Sequence, residues 1–236
     1  MKTTHFILIL AVALSATGCV INLGKKGNSN VVSEERNISE NFTEIKGSAG
    51  LDIYLTQGNE NKITVEADEN LLEHIQTYVK NGKLHITSEN IGSSTEKNVY
   101  VTFIEVNQIH ASSGVEIEGN SVIKSEKLTL KSSSGAAMKL EVLSREITAH
   151  TSSGAEMELS GKATNLFAKA SSGSELDAKD LLTINCTASA SSGATIETSV
   201  KEKLNAKASS GGLINYHGNP TTVDSKKSSS GNVRRK

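Results

Sequence analysis

Aromatic side chains are scarce in this sequence: they make up 3% of its 236 residues, and tryptophan is absent. Proteins that bind nucleic-acid bases rely on aromatic rings for stacking, so this scarcity argues against such a surface. The charge also argues against nucleic-acid binding, because 25 lysines and arginines are balanced by 26 acidic residues, which gives a formal net charge of −1. Without a basic excess, we expect no nucleic-acid partner.

Cysteine is also rare, with two residues, and the first of them follows an amino-terminal signal. Lys2 precedes an apolar run from Phe6 to Leu14, which is too short to span a bilayer as a permanent helix. Small residues then lead directly to Cys19, as in a bacterial lipobox, although Ala16 replaces the usual leucine. We predict a lipoprotein signal peptide over residues 1–18 and lipidation of Cys19. The alternative is an ordinary signal peptide with a chance cysteine.

The second cysteine, Cys186, has no partner once Cys19 is acylated, so no disulfide framework is expected. Cys186 falls in an alternating stretch with Leu182, Ile184 and Ala188. We interpret it as a small buried residue of a strand rather than as a catalytic thiol.

A single proline and few helix signals, with frequent Thr, Ser, Val and Ile, indicate an all-β fold. The tripeptide Ser-Ser-Gly occurs seven times, at intervals of 18 to 21 residues. A fixed period of this length is the mark of a solenoid, in which each repeat buries its apolar face against its neighbours. The seven copies end at Gly114, Gly135, Gly154, Gly173, Gly193, Gly211 and Gly231.

These glycines are predicted turn positions, because glycine tolerates positive φ where the chain turns between two strands. In the first six copies, apolar or small residues recur at every second place on both sides of the glycine. This alternation predicts strands with one buried face. Each repeat would therefore form one coil of a β-helix or flattened β-solenoid with a thin core, and the polar seventh copy would be the terminal coil.

The outward positions are predicted to form charged rows on the two sides of the turn. The basic row comprises His110, Lys131, His150, Lys169, Ser189, Lys207 and Lys227, and the acidic positions include Glu116, Glu118, Glu156, Glu158, Glu175, Asp177 and Glu197. The acidic side could hold Ca²⁺ loosely, but a solvated charged face is the favoured interpretation.

Residues 36–106 precede the repeats and also alternate as strands. Asn81-Gly82 predicts a two-residue hairpin turn, and residues 69–74 allow a short helical turn before it. Ser48-Ala49-Gly50 resembles a degenerate first copy of the repeat. We predict that this part caps a solenoid formed by residues 107–236, within one continuous domain, behind a flexible tether over residues 19–35.

Signatures of catalysis are sparse in the sequence, which has no Gly-x-Ser-x-Gly elbow, no His-x-x-x-His pair, no Walker loop and no dinucleotide fingerprint. We therefore expect no enzyme activity, no cofactor and no metal site. A β-helix polysaccharide-processing enzyme is the less favoured alternative, because the connections between repeats are too short to build a cleft.

Several segments together resemble one family: the lipobox, Phe42–Gly50, Ala67–Leu72, Asn81–Ile86, the Ser-Ser-Gly array and the final Ser-Gly-Asn-Val. The resemblance is to the auto-transporter adhesin head domain, called the GIN domain, found in many Bacteroidetes lipoproteins. It spans about residues 36 to 236. It implies a β-helical fold and an adhesin role, and it brings no catalytic or ligand residues to transfer.

These features predict a non-enzymatic, lipid-anchored adhesin or binding module of the cell envelope, held at the outer membrane. Its expected partners are the membrane through the anchor, a glycan or protein surface, and a second copy through exposed sheet ends. The alternative is a structural or signalling accessory that faces the periplasm, because no acidic run of the kind seen in surface-export signals follows Cys19.

Overall fold

The computed structural model describes residues 24–38 and 40–236. The signal peptide predicted for residues 1–18 and the lipidation site Cys19 lie outside the described residues. The fold is nearly all β, as predicted, with 65% of residues in strands and one short 3₁₀ helix at Glu69–His74. The strands are β1 (Val31–Arg36), β2 (Glu44–Gly47), β3 (Asp52–Gln57), β4 (Lys62–Asp68), β5 (Ile75–Lys80), β6 (Lys83–Ser88), β7 (Lys97–Phe103), β8 (Gln108–Ala111), β9 (Glu116–Gly119), β10 (Ile123–Ser132), β11 (Ala137–Thr151), β12 (Glu156–Ala170), β13 (Glu175–Ala190), β14 (Thr195–Ala208), β15 (Leu213–His217), β16 (Thr222–Lys227) and β17 (Asn232–Arg235).

The strands stack as a β-solenoid, which confirms the predicted fold. We call sheet A the run β1–β4–β7–β3–β9, continued by the first halves of β11 to β14 and by β15 and β17. Sheet B is the run β5–β6–β2–β8–β10, continued by the second halves of β11 to β14 and by β16. The long strands change sheet midway, since β14 pairs first with β15 and then with the separate strand β16.

Each coil passes from sheet B to sheet A through its Ser-Gly turn. In one copy, Ser153 (φ 55°) and Gly154 (φ 69°) are both left-handed, and the N–H of Ala155 donates to the oxygen of Ser152 at 3.2 Å. Two central residues with positive φ make a type I′ turn, which favours glycine at its second position. The glycine N–H then donates to a serine oxygen of the next coil, and this bond links the turns from residue 50 to residue 229 into one ladder.

The seventh turn is shifted by one residue from the predicted one. Ser229 (φ 49°) and Ser230 (φ 64°) occupy the two left-handed positions, and Gly231 follows the turn, where its N–H donates to the oxygen of Ser228 at 2.9 Å. Gly231 is therefore not a turn glycine. The pairing of Lys227 with Ala208 places this turn one residue earlier than the glycine spacing predicts, so Val233 faces inward and is 8% exposed.

One row of the core changes from large to small side chains between the amino-terminal and the carboxy-terminal end. One buried row of sheet B runs through Leu84, Ile45, Ile109, Leu130, Ala149, Ala168, Ala188 and Ala206. Burial of a leucine or isoleucine side chain stabilises a protein by about 1.5–3 kcal/mol, and alanine offers much less apolar area. This row therefore stabilises the first coils more than the last. A parallel row on sheet A stays large along the stack, through Ile117, Met138, Met157, Leu176, Ile196 and Ile214.

Antiparallel strands close the amino-terminal end, as the predicted cap requires. β5 and β6 form a hairpin whose turn residues, Asn81 (φ 54°) and Gly82 (φ 72°), confirm the predicted two-residue turn. The 3₁₀ helix Glu69–His74 precedes it and places Leu71 in the interior.

Much of the predicted tether is part of this cap. Of residues 19–35, the part from Gly24 onward belongs to the fold, because β1 (Val31–Arg36) pairs with β4. Asp68 is fully buried and accepts hydrogen bonds from the N–H groups of Ser29 (2.5 Å) and Thr95 (2.6 Å). The Gly, Asn and Ser composition of the segment suggested no structure, since the groups that order it lie far along the chain.

The order of the first coils also departs from the order of the chain. β2 pairs with β6 on one side and β8 on the other, and β3 likewise lies between β7 and β9. The coil that contains the degenerate turn at Ala49 and Gly50 is therefore inside the stack, and strands later in sequence cover it.

Candidate binding surfaces

One outward row of sheet B, the basic row, carries no carboxylate along ten strands. It runs through Tyr78, His85, Lys46, His110, Lys131, His150, Lys169, Ser189, Lys207 and Lys226. Neighbouring strands are about 4.8 Å apart, so the row is about 43 Å long. Its ends differ from the sequence prediction.

At the carboxy-terminal end Lys226 replaces the predicted Lys227, because of the shifted seventh turn. At the other end the row continues through Lys46, which stands four residues before Gly50, as the repeat positions do before their own glycines. His85 and Tyr78 follow no such offset, and only strand pairing reveals them. Their rings stack with centroids 4.9 Å apart and planes at 5°.

The positive charge of the basic row is uncompensated. In the part of the chain that the structure describes, none of its five lysines lies within ion-pair distance of a carboxylate. Glu44, two residues before Lys46 on β2, forms an ion pair with Lys83 at 2.9 Å and accepts a hydrogen bond from the amide of Gln108 at 3.2 Å. The row thus offers free ammonium groups to a partner.

The histidines of the row add charge only in acid. Burial lowers the pKa of His85, His110 and His150, and the neighbouring lysines lower it further. Both effects disfavour the imidazolium form, so these side chains are neutral near pH 7 and gain charge as the pH falls.

A second outward row of sheet B borders the basic row and is mostly hydroxyl and amide. It includes Thr129, Thr148, Phe167, Thr187 and Asn205, and the ring of Phe167 is 45% exposed. Between the two rows, near the last coils, lies a shallow cavity of about 250 Å³. Its polar lining consists of Thr187, Ser189, Asn205, Lys207, Asp224 and Lys226.

Sheet A carries the acidic side chains predicted after the turn. Strand pairing aligns Glu156 with Glu175, and Glu158 with Asp177 and Lys139. The Lys139 ammonium lies 3.1 Å from Glu158, and Lys179 contacts Asp177. These ion pairs reduce the repulsion between carboxylates on adjacent strands, so the acidic side is partly neutralised within the fold.

A groove runs along the second corner of the coils, opposite the Ser-Gly turns. Its volume is about 730 Å³, and its lining includes Leu143, Ala163, Leu182, Ile184, Val200 and Lys201. Leu143 is 48% exposed and Leu182 60% exposed. The sequence alternation placed Leu182 inward with Cys186, but the corner puts two part-exposed residues, Ile184 and Asn185, before Cys186. Leu181 and Thr183 are therefore buried, and Leu182 faces outward. The groove can accept an apolar ligand.

Side chains suited to metal binding do not converge in the part of the chain that the structure describes. Among residues 24–38 and 40–236, no group of three or more His, Cys, Asp or Glu side chains could hold a metal ion. Cys186 is buried, as its alternation predicts, and burial raises the pKa of its thiol to about 11. A thiol with this pKa is protonated near neutral pH and is a poor nucleophile. In the same described ranges, no helix has the length and apolarity to cross a membrane.

The repeat ladder and its flanking sheets correspond to one family, described as "Putative auto-transporter adhesin, head GIN domain", which matches residues 41–220. The chain belongs to this family. The resemblance drawn from the sequence is therefore confirmed. No curated protein matches the chain significantly.

Solved structures share the GIN-domain fold at low sequence identity. A "putative adhesin" from Bacteroides fragilis is 16% identical with a TM-score of 0.83, covering 90% of this chain and 100% of its own. A "putative lipid binding protein" from Parabacteroides distasonis is 18% identical with a TM-score of 0.70, covering 90% and 99%. A "putative adhesin" from Parabacteroides merdae is 19% identical with a TM-score of 0.69, covering 90% and 98%. The family is thus described as adhesins, a description that suggests a cell-envelope protein.

Proposed function

We propose that this GIN-domain protein is a lipid-anchored, non-enzymatic adhesin, which binds an extended glycan or protein surface along the outside of its solenoid. The observation that carries the proposal is the basic row, in which strand pairing aligns the same kind of side chain across successive coils. A repeated row of weak contacts gains avidity when its partner also repeats.

The anchor is proposed from the sequence, where Cys19 follows an apolar run and small residues. The lipid would hold the protein at the outer membrane. Under this proposal the solenoid faces outward from the cell, whereas the accessory role would leave it in the periplasm. The two roles differ in whether the folded domain is accessible from outside.

Protease treatment of intact cells tests the exposed position. The adhesin role predicts cleavage of the protein on unbroken cells, with a periplasmic marker protein protected in the same sample. Protection until the outer membrane is opened contradicts the adhesin role and favours the periplasmic accessory.

A Cys19→Ala variant tests the anchor separately. It should lose incorporation of radiolabelled palmitate and move from the membrane to the soluble fraction, because acylation requires the thiol. Membrane retention of this variant would contradict lipid anchoring.

A second candidate function is binding of an apolar ligand in the corner groove. The exposed side chains of Leu143 and Leu182 favour it, as does the similar structure from Parabacteroides distasonis that is described as a lipid binding protein. A fluorescent fatty acid should bind the wild-type protein. A Leu182→Glu change should weaken this binding, because a carboxylate in the groove disfavours an acyl chain. A matched Leu213→Glu change, on sheet A outside the groove, should leave binding unaltered.

A further inference from the structure

We infer that the basic row is the binding site for a linear acidic polysaccharide, which lies along sheet B and crosses its strands. The inference deepens the proposed adhesin role, since it names the partner class of that surface. It rests on the unpaired charge, the spacing and the neighbouring side chains of the row.

The spacing of the lysines suits a polymer with regularly repeated charges. Lys46, Lys131, Lys169 and Lys207 lie on every second strand of the row. Two strand intervals amount to about 10 Å, so neighbouring lysines are this far apart along a nearly straight line. A chain with a carboxylate or sulfate at similar intervals can meet each lysine without bending.

The adjacent hydroxyl and amide row supplies contacts that a sugar can use. Thr129, Thr148, Thr187 and Asn205 lie two residues before the positions of the basic row and on the same face. Hydroxyl and amide groups donate and accept hydrogen bonds. The exposed ring of Phe167 lies in the same row and offers an apolar surface to a sugar ring.

The composition of the row disfavours nucleic acid and a membrane. It contains no arginine, the side chain that binds phosphate in a bidentate manner, and Tyr78 at its end is its one Phe, Tyr or Trp side chain. A flat anionic membrane would also contact the row beyond, which includes Glu146 in an ion pair with Lys127 (3.7 Å). A narrow line of positive charge, bordered mostly by neutral polar groups with Glu44 and Asp224 near its ends, fits a single polymer chain.

Histidines between the lysines make this binding dependent on pH. His110 on β8 faces Lys46 on β2 and Lys131 on β10, with the paired Glu44 nearby. His150 on β11 faces Lys131 and Lys169 on the strands to either side. A bound polyanion offsets the repulsion from these lysines. Protonation of the histidines should therefore accompany binding in acid and strengthen it.

The test uses the purified protein and polygalacturonate, with neutral dextran of matched length as the control, in titration calorimetry. Polygalacturonate should bind, dextran should not, and the affinity should fall as salt rises. Loss of one exposed charge contact weakens binding by about twofold to fivefold, so Lys131→Gln with Lys169→Gln should weaken it by about tenfold. The matched control, Lys139→Gln on sheet A, should leave the affinity unchanged.

The pH readout separates a built site from general attraction. Affinity of the wild-type protein should rise severalfold from pH 7.5 to pH 5.5, and His110→Asn with His150→Asn should remove most of this rise. Equal binding by the lysine variants, no binding of polygalacturonate, or tighter binding of single-stranded DNA or phosphatidylglycerol vesicles at equal salt would overturn the inference.

The polygalacturonate titration and the protease treatment of intact cells test different claims. Cleavage on intact cells without binding of polygalacturonate would overturn this inference but would still agree with the adhesin role. A protein that binds polygalacturonate but is protected in intact cells supports this site and contradicts the adhesin role.

Discussion

The two ends of the solenoid terminate their sheets in different ways. At the amino-terminal end, antiparallel strands β1, β4 and β5 and the 3₁₀ helix cover the stack, and Ile63 and Leu71 there are fully buried. At the carboxy-terminal end, every residue of β16 is exposed, and Lys227 occupies the inward position beside Ala208. Packed strands and the 3₁₀ helix cover the amino-terminal end of the sheets, whereas charged side chains occupy the carboxy-terminal end.

This difference shows how a repeat fold limits its own growth. A stack of parallel strands leaves unpaired backbone groups at its last strand, which invite another chain. Lysine on such an edge disfavours pairing, since stacking would bury its charge. Association of two copies through the sheet ends stays a prediction, and Lys226, Lys227 and Arg234 at this end would oppose it at low salt.

The largest effect should come from removing apolar volume near the capped end. Leu84→Ala should lower the free energy of unfolding by about 2–5 kcal/mol, because the side chain is fully buried beside Ile45. Val223→Ala at the open end should change it by about 0.5 kcal/mol or less, since Val223 is 43% exposed. Urea unfolding measures both free energies, and equal losses would contradict the difference in packing between the two ends.

Turn chemistry should distinguish a middle coil from the terminal one. Gly154→Val should cost about 1–3 kcal/mol, because a β-branched residue resists the φ of 69° although no atom lies within 4 Å of the added Cβ. Ser230→Gly should instead stabilise by up to about 1 kcal/mol, since glycine adopts the φ of 64° without strain. Thermal unfolding checks both, and stabilisation by Gly154→Val would refute the type I′ turn.

The buried carboxylate of the cap should matter more than an exposed one at the open end. Asp68→Asn removes the charge that accepts the N–H groups of Ser29 and Thr95, so the variant should melt at a lower temperature. Hydrogen exchange should quicken at these two amides. Asp224→Asn in exposed β16 is the control and should melt like the wild type, and indistinguishable melting of the two variants would remove Asp68 from the cap.

Asp68 also predicts a dependence of stability on acid. Burial raises its pKa, but hydrogen bonds from backbone N–H groups outweigh this effect and leave the pKa below its ordinary value of 3.8. The unfolded chain therefore binds the proton first, and the stabilisation present above pH 3.8 is lost as the pH falls through the folded pKa. Asp68→Asn should flatten this part of the stability curve.

The smallest effect should come from the histidines. Burial and adjacent lysines lower the pKa of His110 and His150, so the unfolded chain takes up protons before the folded one. Stability should decrease slightly as the pH falls below the ordinary value of 6.5, and His110→Asn with His150→Asn should reduce this decrease. A matched Ser189→Asn change in the same row, which adds and removes no titratable group, should leave the slope as it is in the wild type.

Local patterns accounted for the regular coils because each coil repeats the same chemistry. Alternation identified buried positions such as Cys186, and the Asn81-Gly82 pair identified its hairpin, since both depend on neighbours within a few residues. The same approach failed at Gly231 and Leu182. The seventh turn comes one residue early, and near Leu182 the corner adds one residue between the buried positions Thr183 and Cys186. In a strand, a shift of one position changes the face.

The sequence by itself determined the period, the turn chemistry and the inward and outward positions of the repeats, because strand alternation and left-handed turns are local properties of the chain. Tertiary structure decided the order of the first coils, the ordering of residues 24–36 around Asp68, and the extension of the basic row through His85 to Tyr78. These features join residues far apart in the chain. Their physical cause is the pairing of backbone edges between strands, which repeat spacing alone does not encode.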